Sequence, residues 1–171
     1  MNRIYKIKTA LKTPMILSTL ISLPIFADVI MRGFEITTLV MALSLMIIFY
    51  LLTLNNVLRK VRISEKEVII SGIFGPRHIP TGEITFIDGM TMGTRQFITP
   101  STQKKNYLIP NSFTQFAEII DDLKSVSPPE SHGSSLEFLK NNVVERKSDI
   151  IGAWITVILL VIIILVRFFP R

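Results

Sequence analysis

Few residues in this chain could do chemistry. His78 and His132 are the only two histidines, and the 171 residues include no cysteine. Disulfides, thiol nucleophiles and thiolate zinc sites are therefore excluded, and two imidazoles make a poor metal centre. His78 falls beside a predicted strand and reads as an edge residue rather than a ligand or base; His132 falls in a predicted linker. No G-x-x-x-x-G-K-S/T, H-E-x-x-H, G-x-S-x-G or strand-to-helix G-x-G-x-x-G pattern occurs, so the sequence points to no enzyme activity, cofactor or metal. Asp121 and Asp122 are adjacent on a predicted helix. They point about 100° apart there, which suits solvation rather than paired acid–base work. Asp28 is the one carboxylate within an apolar segment, and ionisable groups in such segments are functional candidates by default. Its place near the segment's end equally suits hydration at the interface.

What remains is cationic. Arg59, Lys60, Arg62 and Lys66 follow an apolar segment directly, and each basic residue beside an anionic leaflet contributes about 1 kcal/mol of binding. They are candidates for contact with lipid headgroups and the membrane surface, although a cluster of this size is also what membrane topology requires. Arg77, Arg95, Lys104 and Lys105 are the further candidates for a ligand or partner face. From Arg59 to Lys124 nine basic residues meet seven acidic ones. That balance disfavours nucleic acid, which calls for a strongly basic face interleaved with aromatics.

The elements that must carry these residues are of two kinds. The chain is 49% apolar and 19% charged, against about a quarter charged in soluble domains, and the deficit sits in three windows. Residues 13 to 31, 36 to 54 and 150 to 169 each approach the ~20 apolar residues that cross a bilayer. The last is flanked by Trp154 at one end and by Arg167, Phe168 and Phe169 at the other, as interfacial anchors are. The first is interrupted by Pro24 and resembles a secretory signal, with Arg3, Lys6 and Lys8 before it and Ala27 as a cleavage residue. A retained first helix predicts an outer turn at residues 32 to 35. In either reading the basic residues at 3 to 12 and 59 to 66 set the middle of the chain on the cytoplasmic side.

The middle alternates polar and apolar residues at 60 to 64, 67 to 71 and 83 to 87, with a short strand at 77 to 79. Asp88-Gly89 reads as a turn, residues 95 to 99 and 106 to 109 as further strands, and residues 100 to 105 as an exposed loop. Ser112 and Gln115 form a capping box for a helix that sets Phe113, Phe116, Ala117, Ile120 and Leu123 on one face. A helix pair followed by R-I-S-E-K-E-V-I-I-S-G-I-F-G (Arg62 to Gly75), I-P with E-I-T-F-I (Ile79 to Ile87) and Y-L-I-P-N-S-F (Tyr107 to Phe113) resembles the bacterial PH-like domain family of membrane-anchored proteins.

The resemblance implies a curved, partly closed barrel capped by one C-terminal helix, self-association, and no catalytic residues. The segment is short for such a barrel, so a strand is missing or a neighbour supplies it, and an unpaired edge favours oligomers.

The expected organisation is an α+β membrane protein with three transmembrane helices. It has a basic tail at 1–12, a helical hairpin at 13–54, a PH-like cytoplasmic domain at 55–125, a flexible linker at 126–135, a juxtamembrane helix at 136–149 and a third span at 150–169. The expected setting is a bacterial cytoplasmic membrane, with membrane lipid and another copy or another membrane protein as partners. The expected function is presentation of the PH-like module for self-assembly or for binding a partner or lipid. The alternative is an accessory or immunity-type protein acting through its helices.

Overall fold

In chain order the elements are β1 (Asn2–Lys6), α1 (Thr9–Met31), α2 (Ile36–Leu58), β2 (Lys60–Ser64), β3 (Glu67–Gly72), β4 (Gly75–Pro80), β5 (Ile84–Met92), β6 (Arg95–Thr102), β7 (Ile109–Pro110), α3 (Phe116–Val126), α4 (Ser135–Asn141) and α5 (Lys147–Phe168). The computed structural model describes residues 2–32 and 35–169. The centre of the expected outer turn, Gly33 and Phe34, lies outside the described residues. Two units form: Met1–Lys8 with Leu58–Lys147, and Thr9–Val57 with Ser148–Arg171.

The first unit begins with a correction. Residues 2 to 6 were expected as part of a free basic tail, but Tyr5 has a buried side chain in register with Val61, and Asn2–Lys6 pairs along β2 as an edge strand. One antiparallel sheet runs β1-β2-β3-β4 and a second runs β5-β6-β7. Residues 2 to 6 thus add a strand that the sequence reading did not include, and both sheets remain open at their edges. Alternate positions such as Val61, Ile63, Val68, Ile79, Ile87 and Ile98 are fully or almost fully buried, together with Phe116, Ile119, Ile120 and Leu123 of α3.

Asp88-Gly89 is not a turn. It lies within β5, whose hairpin to β6 turns instead at Gly93, at φ +61°. Gly89 serves close approach. A Cβ there would stand 3.0 Å from Leu139 of α4, and the Gly89 N–H is accepted by Ser135 Oγ at 2.8 Å. Strand β6 also continues to Thr102, into the stretch expected as loop, whereas β7 is shorter than expected, with Asn106 making only an isolated bridge to Ser101.

The capping box does not form. Ser112 is buried and its carbonyl accepts the Lys8 N–H at 2.9 Å, while the Thr114 N–H reaches the Lys6 carbonyl at 2.8 Å. These residues are committed to the end of β1, so α3 starts only after Gln115, which sits at φ 52° and donates to Glu118 instead.

Asp122, expected to be solvated, is 4% exposed: the Tyr5 hydroxyl donates to it at 2.6 Å and Arg3 Nη1 at 3.3 Å. Asp121 stays at the surface and pairs with Lys140 at 2.6 Å.

The expected linker is ordered. Ser127 and Ser131 are buried, the Gly133 N–H donates to Ile87 O at 2.7 Å, and His132 bridges Ile87 beside β5. Polar composition misled here because the hydroxyls bond locally: Ser127 Oγ donates to Leu123 O and Ser131 Oγ to Pro128 O.

The juxtamembrane helix is likewise part of the domain. Leu136 and Leu139 of α4 are fully buried, and Lys124 of α3 pairs with Glu137. Two helices, not one, accompany the sheets. Beyond α4, Gln96 holds the backbone at both ends, accepting from Val144 N–H at 2.9 Å and donating to Asn142 O at 2.6 Å. Asn111 donates to Val144 O at 2.8 Å.

The second unit contains α1, α2 and α5. Each is 22 or 23 residues long and apolar enough to cross a membrane, spanning about 33 Å or more at 1.5 Å per residue. Buried Ser18 and Ser22 lie one turn apart on α1, and Ser22 Oγ stands 3.1 Å from the Tyr50 hydroxyl of α2. Small residues so spaced let apolar helices approach closely where no water is expelled.

Candidate functional site: a cationic cleft beside β4

Sheet register determines which cations meet. The cross-strand row Tyr5, Val61, Ile70, Arg77 faces one way, and its first three members are buried. Arg77 is the fourth, on edge strand β4, where nothing covers it. Across from this edge runs the connection between β6 and β7. Thr102 and Lys105 close it locally, since the Thr102 N–H donates to Lys105 O at 2.9 Å. Tyr107 N–H donates to Pro100 O at 2.9 Å and anchors the connection to β6. Arg77, His78, Lys105, Asn106 and Tyr107 line a polar cleft of about 470 Å³.

Arg59 lies close by. Its Nη2 donates to Leu108 O at 3.1 Å, and its guanidinium stands 6.0 Å from the centre of the buried Phe113 ring. Burial first, and the like charge of Arg77 second, lower the Arg59 pKa from its ordinary value. Among the described residues no carboxylate forms an ion pair with Arg59, Arg77 or Lys105. Glu67 places its carboxylate 2.7 Å from Nδ1 of His78, another cleft residue. An arginine and a lysine that share a cleft without a direct ion pair suit a phosphate or carboxylate, which Arg binds through its planar fork and Lys as a point charge.

The expected face of Arg77, Arg95, Lys104 and Lys105 thus divides. Arg77 and Lys105 share the cleft, while Lys104 lines a separate hollow of about 320 Å³ with Gly82 and Glu83. Arg95 opens β6, opposite Met92. The group Arg59, Lys60, Arg62 and Lys66 divides as well. Strand β2 separates Lys60 from the turn holding Lys66 by roughly 13 Å at ~3.3 Å per residue. Arg62 is mid-strand and donates to Asn2 Oδ1.

Sequence reasoning missed Asn106 and Tyr107 and the pairing of Arg59 with Arg77. No local sequence pattern signals them, because they come from segments brought together only by the fold. Asp28, the membrane carboxylate, pairs with Arg32 one turn on at 2.9 Å and with Arg167 of α5, so within its unit it braces two helices. Among the described residues no group of three or more His, Asp or Glu could hold a metal ion.

No family model matches the chain, and no curated protein or solved structure matches it either.

Proposed function

We propose that this chain is a non-catalytic integral membrane protein of the bacterial cytoplasmic membrane. It presents a PH-like module at the inner face and binds phosphate-bearing lipid headgroups in the cleft lined by Arg77 and Lys105. Three apolar helices support membrane insertion. Two antiparallel sheets of four and three strands followed by a helix are consistent with the PH-like resemblance. Lys6 and Lys60 are register partners at the strand ends where the chain leaves for α1 and returns from α2. This favours an even number of crossings between them, and the basic residues on both flanks favour the inside. Retention of the first helix fits the same picture, because cleavage after Ala27 would remove β1 with Tyr5.

The observation that carries the reading is that Arg77 and Lys105 share one cleft while, among the described residues, neither forms an ion pair with a carboxylate. It is tested by calorimetric titration of the full chain in zwitterionic micelles with short-chain phosphatidylglycerol, short-chain phosphatidylcholine and inorganic phosphate. The expected outcome is preference for the anionic lipid, weakened roughly 30-fold in R77A/K105A, at about 1 kcal/mol per charge. Equal binding of both lipids, or an unchanged double variant, overturns the assignment. Equal binding of phosphate and phosphatidylglycerol would make free phosphate, not lipid, the ligand.

A further inference from the structure

We propose that the β3–β4 turn, led by Phe74, is a foot seated in the headgroup–acyl boundary of the bilayer. Phe74 is 74% exposed, the most exposed large apolar side chain described outside the three long helices. The turn's shape comes from Gly75, at φ +96°, a backbone conformation that side chains with a Cβ resist. The Phe74 ring is therefore displayed by the backbone and is not seated in the core.

Its position gives the display a direction. The last row of the first sheet is Lys6, Lys60, Ser71, Pro76, and the turn closes β3 and β4 just beyond it. At this same end of the sheet the chain leaves β1 for α1 and re-enters β2 from α2. Leu58 and Leu108, also exposed, flank Arg59 there, one by sequence and the other through its carbonyl. Lys60 and Arg77 add positive charge, while Glu67, the acid nearest Phe74 in sequence, begins β3 at its other end and is paired with His78. Exposed aromatic and aliphatic side chains within a ring of cations are the composition that settles at a lipid–water boundary. Water at that place would leave the ring without a partner.

The inference needs the three spans but not the headgroup cleft, and the experiment separates them. The chain has no cysteine, so Phe74→Cys and, as a control in the opposite turn, Lys66→Cys each carry one environment-sensitive fluorophore. Both proteins are reconstituted into vesicles of phosphatidylcholine alone and with phosphatidylglycerol added. The expected result in both vesicles is blue-shifted emission at position 74, quenching by lipids spin-labelled near the headgroup, and iodide access several-fold lower than at position 66. Phe74→Trp in a Trp154→Phe background repeats the measurement with an aromatic ring retained. Iodide access at 74 equal to that at 66, together with water-like emission of the tryptophan, overturns the proposal. Insertion that persists in R77A/K105A establishes the foot independently of the cleft, and insertion that vanishes there refutes a foot held by its own apolar contact.

Discussion

Isoleucine has opposite addresses in the two units. In the sheet unit Ile63, Ile79, Ile87 and Ile98 are sealed from the surface, whereas Ile47 and Ile155 of the long helices leave about half their surface outside. Both placements follow from one rule applied to two solvents. Water expels apolar surface at about 25 cal/mol per Å², so the sheets and α3 turn their apolar positions toward each other. Hydrocarbon expels nothing, so the helices are held by small residues, the Ser22–Tyr50 contact and the Asp28–Arg167 pair instead. Polar groups show the mirror image. In the sheet unit Asp122, Gln96 and Asn111 are buried and each is spent on fixing a strand end or a loop.

The sharpest test of this contrast is truncation of one residue type at both addresses. Ile63→Ala is expected to cost 2–5 kcal/mol of domain stability, the usual range for a fully buried isoleucine, read as faster amide exchange across β2 and β3 in micelles. Ile158→Ala on the lipid-facing surface is expected to stay within about 0.5 kcal/mol. Equal effects would mean that the helices are water-soluble elements with a core of their own.

A smaller effect is expected at the buried polar contact. Tyr5→Phe leaves Asp122 without its nearest donor and is expected to cost about 1–3 kcal/mol. Burial, reinforced by the bond to Asp122, pushes the Tyr5 pKa up to about 12 from 10.0. The folded chain then keeps a proton that the unfolded chain releases, so this stabilisation is whole below about pH 10 and is lost as pH rises toward 12. Denaturation of the parent chain should show that decline, and Tyr5→Phe should remove Tyr5's contribution to it.

The smallest effect separates an ion pair between long apolar helices from one on the sheet unit's surface. Asp28→Asn, which strips Arg167 and Arg32 of a shared carboxylate, is expected to lower the thermal midpoint in vesicles. Asp121→Asn, which removes an exposed partner of Lys140, is expected to leave the midpoint unchanged, as exposed pairs contribute little. Equal shifts would place Asp28 in water.

The cleft sharpens the comparison from the other side. Strand periodicity at 60 to 64 and 67 to 71 was readable because alternation reports which face is buried, and Arg77 was readable as one of four cations that could face a ligand or partner. That Arg77 would share a cleft with Lys105 and Tyr107 was not readable, since β4 and the β6–β7 connection belong to different sheets and meet only in the folded domain. Asp88-Gly89 was misread for a related reason. A glycine needed for tertiary approach and a glycine needed for a turn look identical in one dimension. The tail at residues 2 to 6 was invisible as a strand because five residues before an apolar helix carry too little pattern, and pairing with β2 across 53 intervening residues decided it.

Composition and periodicity were enough to separate the lipid-seeking helices from the sheet-forming middle. Runs of about 20 apolar residues can lie only in hydrocarbon, alternating ones must form half-buried strands, and the lack of cysteine and of motif chemistry needs no fold to be seen. Tertiary structure alone decided which residues complete the sheet, why serines at 127 and 131 are ordered, and which cations share a cleft. Local composition sets the preference of each segment for water or lipid, but the gathering of distant side chains depends on register and close approach, which exist only once the chain has folded.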